Sequence, residues 1–282
     1  MRLTRPQAGL DYPAVKWKFG LPYLSEGKRS LCQMHVAGIA NVGTGFRNAV
    51  KAAFRVLGLR VERYRPGPTL REALERLEGH KIPFQTVVDV GASTGSWSLE
   101  VERVFPRRAH LLIEANAVHE TKLRAVCGAR SNWHYVLKAA GKREGHLFFD
   151  DSDPWGGHLS ETQASPKYKP YPVTTIDAEV KRLGLPAPFL VKLDTHGVEV
   201  PILTGAADTL AATEVLVIEC YNFPGAPPCL PFWEMCRWME AKGFRPIDIL
   251  DILYRPHDQC FWQFDLVFTR SSAPPFSYDG YA

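Results

Sequence analysis

The stretch Thr86-Val-Val-Asp-Val-Gly-Ala-Ser-Thr-Gly-Ser-Trp-Ser98 constrains this chain more than any other. Val87, Val88 and Val90 form a short β-branched run of the kind that makes a buried parallel strand. Gly91 and Gly95 then turn the chain, and from Ser96 the residues Leu99, Val101 and Val104 mark a helix. A strand, a glycine turn and a helix leave backbone N–H groups free at the helix N-terminus, where anionic groups bind. The next apolar run, Ala109-His-Leu-Leu-Ile-Glu114, ends on an acid at the distance where a ribose hydroxyl pair is held. Together these predict half of a nucleoside-cofactor site.

The glycine spacing narrows the cofactor. Dinucleotide turns follow G-x-G-x-x-G, whose second glycine lets the backbone approach a pyrophosphate. Here the turn reads Gly91-Ala-Ser-Thr-Gly95, with Ser93 in that place. S-adenosylmethionine has no pyrophosphate, and Asp89 supplies negative charge for a cationic ligand. S-adenosyl-L-methionine is therefore expected, with an NAD-dependent dehydrogenase as the alternative.

The 282 residues suit one α/β domain with an extension. Lys and Arg number 34 against 30 Asp and Glu, and no dense basic block interleaves with aromatics, so nucleic acid is not an expected partner. No apolar run reaches membrane-spanning length, and no signal peptide is visible. The six cysteines show no metal-ligand cadence, which fits a reducing cytoplasm.

Residues 1–65 read as an N-terminal extension, irregular up to about 44. Phe46, Val50, Phe54, Leu57 and Val61 then form the stripe of a basic amphipathic helix. Its basic face is expected in solvent, peripheral membrane contact being the lesser reading. Residues 66–282 read as the cofactor domain. Thr69 and Glu72 form a capping box for a helix ending at Gly79. Trp133 to Ala140 is expected as the third strand and Gly145–Asp150 as a short extra one. Residues 151–172 lack any period and read as a long functional loop. Asp177 is expected to cap a helix. Phe189–Asp194 and Val215–Glu219 are further buried strands, with a helix from Val198 to Leu210 between them. Two late runs, Pro246–Tyr254 and Phe261–Phe268, close the sheet as an antiparallel pair. The predicted fold is α/β: a doubly wound, mostly parallel seven-stranded Rossmann-like sheet.

Ligands in such sheets sit beyond the C-terminal strand ends. Asp89, Glu114, Ala140, Asp194 and Glu219 all fall there. The cofactor candidates are Asp89, Gly91, Ser93, Gly95, Glu114, Ala140 and Asp194. If the acceptor is a hydroxyl, a base must take its proton. His196 is the first candidate, with Asp194 orienting it or holding the cofactor's amino end, and His158 in the long loop is the second. Asp194 and Glu219 can offer oxygens to a divalent metal, but no third ligand stands at fixed spacing, and no metal is expected.

Val88-Asp-Val-Gly-Ala-Ser-Thr-Gly95, Glu114-Ala-Asn116, Val173-Thr-Thr-Ile-Asp177, Val191-Lys-Leu-Asp-Thr-His-Gly-Val-Glu199, Leu203-Thr-Gly-Ala206 and Phe264-Asp-Leu-Val-Phe268 together resemble the FkbM-type methyltransferases, a branch of the class I S-adenosylmethionine-dependent enzymes. The resemblance covers about residues 66 to 270. It implies O-methylation of a small molecule, sugar or glycolipid. The chain departs from the family pattern at Ser93, usually Asn, and at His196, usually Glu or Gln. The Glu114-Ala-Asn116 step also lacks the family's central proline. A catalytically silent binding or scaffold protein on the same fold is the reading from another class.

Overall fold

The computed structural model describes residues 17–20, 60–63, 68–153, 157–163, 165–223, 225 and 228–281. The chain divides into two compact units, Met1–Pro66 and Gly67–Ala282. In the first, strands β1 (Trp17–Gly20) and β2 (Arg60–Arg63) pair antiparallel. Val61 thus lies in a strand, not at the end of the expected basic helix, whose remaining residues fall outside the described ones. A β-branched residue such as Val61 suits a paired strand at least as well as a last helical turn.

The second unit opens with α1 (Leu70–Gly79), where Thr69 and Glu72 complete the capping box. Then follow β3 (Thr86–Val90), α2 (Ser96–Val104), β4 (Ala109–Glu114), α3 (Glu120–Gly128), which a single 3-10 turn precedes, and β5 (Trp133–Leu137). After an intervening small sheet come α4 (Ile176–Leu183), β10 (Phe189–Leu193), α5 (Glu199–Thr204), α6 (Ala207–Ala211) and β11 (Thr213–Tyr221). Helix α7 (Phe232–Glu240) and strands β12 (Phe244–Tyr254) and β13 (Phe261–Arg270) end the domain. The seven-stranded sheet runs β12-β13-β11-β10-β3-β4-β5. Its five central and outer strands from β11 to β5 are parallel, and β12 and β13 are antiparallel. This is the predicted doubly wound sheet with its closing pair.

Both faces of the central strands are covered. Val88, Val90, Leu111, Ile113, Val191 and Ile218 pack on one side with Ile176, Ile202 and Met235 of the later helices. Val87, Leu190 and Val217 pack on the other with Leu74, Leu77 and Val101 of α1 and α2. A strand buried on two faces reads as an unbroken apolar run, which is why β3, β4, β10 and β11 are visible in the sequence.

The middle of the chain departs from expectation. The strand predicted over Trp133 to Ala140 is two strands: after Leu137 the chain leaves the main sheet, and β6 (Ala139–Ala140) joins a four-stranded sheet ordered β6-β9-β7-β8. Its other members are β7 (Gly145–Asp150), β8 (His158–Ser160) and β9 (Lys169–Thr174). The expected long loop therefore contributes two strands. Turn residues and prolines hid them, for Pro170 and Pro172 lie inside β9, where a sequence pattern argues against a strand. Asp177 is not the cap of α4: Thr175 caps it, accepting from the Ala178 N–H. Asp177 sits in the first turn and accepts instead from the Asp208 and Thr209 N–H groups and the Thr209 hydroxyl, which ties α4 to the first turn of α6. The helix expected over Val198 to Leu210 is interrupted after Thr204 and becomes α5 and α6.

Candidate functional site

The turn after β3 is built by backbone. Gly91 has φ +73°, and a Cβ placed there would stand 2.0 Å from the Asp194 carbonyl oxygen, so the turn crosses the end of β10 in contact. The Asp194 N–H in turn donates to the Val90 carbonyl. Gly95, at φ +78°, begins α2, and no side chain caps that helix. Its first N–H groups are left for an incoming anion. Between the glycines, Ser93 holds φ 49°, a left-handed conformation sparse for any side chain. What fixes it is Glu114: one carboxylate oxygen accepts the Ser93 N–H at 2.7 Å and the other the Asn116 N–H at 2.6 Å. The acid at the end of β4 thus ties the two strand ends together and keeps one lone pair on each oxygen.

Asp89 is fully buried. Its Oδ2 accepts from the Ser98 hydroxyl of α2 at 2.8 Å, and its Oδ1 lies 3.4 Å from Lys192 Nζ. Asp89 holds a helix and a buried cation rather than presenting a free carboxylate. Lys192 donates to the Gly91 carbonyl at 3.0 Å and lies 3.2 Å from Asp194 Oδ2. Burial works against its charge, but Asp89 and Asp194 outweigh burial and raise its pKa. Lys192 is the part that sequence reading missed. A lysine inside the buried run of β10 was the available signal, since such a group needs partners at once.

Asp194, His196 and Glu219 form a second cluster beside the first. His196 Nε2 stands 3.7 Å from Asp194 Oδ1 and 4.0 Å from Glu219 Oε2. His196 is held at φ 57° by the turn around it. Glu199, buried at the start of α5, accepts from the Gly197 N–H at 2.9 Å and the Thr195 hydroxyl at 3.1 Å. Glu219 accepts hydrogen bonds from the Tyr221 hydroxyl and from Gln263 Nε2 of β13. Burial, then the charge of Asp194, pushes the Glu219 carboxyl up to about 8. The same two causes push Asp265, its cross-strand neighbour, to about 7. Burial, then Glu219, raises Tyr221 as well.

Of the sequence-predicted residues, Gly91, Ser93, Gly95 and Glu114 share the turn and its brace, and Asp89 lies beneath it. Asp194 and His196 meet on the rim. Ala140 is buried in β6, paired with Thr174, at the root of the small sheet. His158 pairs with Asp150 at the far edge of that sheet. The expectation of no metal rested on a missing third donor, and His196 is such a donor: one ligand atom from each of Asp194, His196 and Glu219 lies within 4.8 Å of the others. No described helix is long and apolar enough to cross a membrane.

A glycine turn feeding a helix, an acid closing the next strand and an antiparallel pair ending a parallel sheet define a Rossmann-like α/β class of protein. Within that class the chain belongs to the FkbM methyltransferase family, whose "Methyltransferase FkbM domain" matches residues 89–246. Among solved structures, it is similar to methyltransferase FkbM from Methylobacillus flagellatus KT, at 18% identity and a TM-score of 0.45 over 65% of this chain and 43% of that one. The chain thus spans less than half the length of that protein. A candidate RNA methyltransferase from Pyrococcus horikoshii is similar over 71% of this chain and 83% of that one, at 12% identity and a TM-score of 0.41. Precorrin-6y C5,15-methyltransferase from Geobacter metallireducens GS-15 is similar over 71% and 87%, at 12% and 0.39. No curated protein matches the chain.

Proposed function

We propose that the protein transfers a methyl group from S-adenosylmethionine to a hydroxyl oxygen of a small-molecule or carbohydrate acceptor. The observation that carries the reading is the brace between Glu114 and the Ser93 N–H, which holds an open glycine turn against an acidic strand end. The residues fit the cofactor. Ser93 Oγ and Trp97 Nε1 are buried polar atoms with no hydrogen-bond partner among the described residues. The first turn of α2 offers uncapped N–H groups for a carboxylate, and Glu114 keeps lone pairs for ribose hydroxyls. When bound, the sulfonium supplies the methyl group and the leaving sulfur.

The chain's own part is to position and to accept a proton. Gly91 sets the cofactor turn against Asp194, so the acceptor must approach over the rim that Asp194, His196 and Glu219 form. His196 Nε2 stands between Asp194 and Glu219 on that rim, which places it to take the acceptor's proton. Asp194 orients it, and Glu199 holds the turn that carries both.

Calorimetry with S-adenosylhomocysteine and with NAD tests the reading. Binding of the first and none of the second is expected. The reverse result replaces methyl transfer with hydride transfer.

A further inference from the structure

The rim gathers more carboxyl groups than the protein's own cations answer. Lys192 is the single buried lysine or arginine among the described residues, and it is shared by Asp89 and Asp194. Glu219 and Asp265 stand opposite each other on β11 and β13 and feel Asp194 as well, while Glu199 adds to the field at Glu219. Carboxyl groups gathered in this way offer more oxygen donors than one shared ammonium group can use.

We propose that Asp194, His196 and Glu219 bind a divalent metal ion at the rim, with open coordination positions facing the acceptor. The three donor atoms lie within 4.8 Å of one another, and two of the separations are 3.7 and 4.0 Å. Ligands bound at about 2.0–2.6 Å around one ion stand this far apart. One imidazole with two carboxylates suits a first-row divalent ion such as Mn²⁺. The donors come from two strand ends, Asp194 and His196 following β10 and Glu219 from β11. Tyr221 and Gln263 each donate to Glu219, an arrangement that orients a ligating carboxylate. Asp194 and His196 keep 41% and 33% of their side-chain surface exposed, whereas Glu219 keeps 8%, so an ion enters from solvent and is backed by the buried acid.

An ion held there binds an acceptor oxygen and lowers its proton affinity. A metal ion and a proton are alternative loads for the same Nε2, so His196 acts as a ligand whenever the ion is present. The site rests on the methyl-transfer reading for its use, although not for its existence.

Calorimetric titration of metal-stripped protein with Mn²⁺, beside a separate titration with S-adenosylhomocysteine, decides the matter. Wild-type protein should take up one equivalent of Mn²⁺. Glu219→Gln and His196→Ala should each weaken that uptake at least about tenfold, with S-adenosylhomocysteine affinity little changed. If the buried Glu219→Gln variant melts early by circular dichroism, the more exposed His196→Ala variant carries the comparison. Failure to bind millimolar Mn²⁺, or equal binding by wild type and variants, overturns the site. If that happens while S-adenosylhomocysteine still binds, the cofactor reading survives alone. If Mn²⁺ uptake depends on both residues and S-adenosylhomocysteine does not bind, the metal site stands and the cofactor reading falls.

Discussion

The glycine turn and the rim lie against each other yet are built on opposite terms. In the turn, charge is settled: Asp89 has Ser98 and Lys192, and Glu114 has two backbone N–H groups. On the rim, carboxyl groups outnumber the cations beside them: burial and Asp194 push Glu219 and Asp265 up, and Lys192 is already shared. The turn is made mostly of backbone and holds a shape. The rim is made of side chains and holds an electrostatic demand. We read the first as binding and the second as chemistry, and substitutions can test that division.

The largest effect is expected from His196→Ala. If the rim is where the acceptor is activated, turnover should fall by about 10² to 10⁴ while S-adenosylhomocysteine affinity stays near that of wild type. Steady-state rates and calorimetry on the same preparation check this. A parallel loss of cofactor affinity would merge the two regions into one binding surface.

Gly91→Ala should damage both regions together, because a Cβ there meets the Asp194 carbonyl at 2.0 Å and the residue holds a left-handed φ. Strain and displacement should cost about 3 kcal/mol of stability, measured by denaturant unfolding. A variant of normal stability would show that turn and rim can move apart.

Glu114→Gln sharpens the comparison from the other side. It weakens the charge-assisted bonds to Ser93 and Asn116, so cofactor binding should loosen by about 1.5–3 kcal/mol, with turnover unchanged at saturation. A fall in saturated turnover instead would place Glu114 in the chemistry.

The turn was legible in the sequence and the rim only in part, for a physical reason. Val87 to Gly95 is a local pattern whose strand, glycines and helix follow within one continuous stretch. The rim depends on partners far apart in the chain: Gln263 reaching Glu219, Lys192 reaching Asp89, and His196 completing a triangle with Glu219. No spacing rule encodes those meetings. Asp194 and Glu219 were read as possible oxygen donors and His196 as a base in the turn after Asp194, yet no spacing showed that His196 also meets Glu219 of another strand. The same limit explains the middle of the chain. β9 carries two prolines, and the step from β5 to β6 changes sheets after a single residue, Lys138, so local pattern read one strand too long and two strands as loop. Asp177 has good cap chemistry, but a longer-range demand from Asp208 and Thr209 claimed it.

The placement of β10 beside β3 also bears on how the protein comes to exist. These neighbours pair Phe189 with Thr86 and Leu193 with Val90, so nearly half of the domain's sequence lies between them. Closing so long a segment is entropically slow, and folds dominated by such distant pairings acquire their native contacts late. The Gly91 crossing and the Lys192 bridge form only when those strands meet. A nascent or partly folded chain can therefore possess the whole glycine-turn segment and still lack a place for any ligand. In this protein, competence to bind depends on a long-range closure and not on the motif alone.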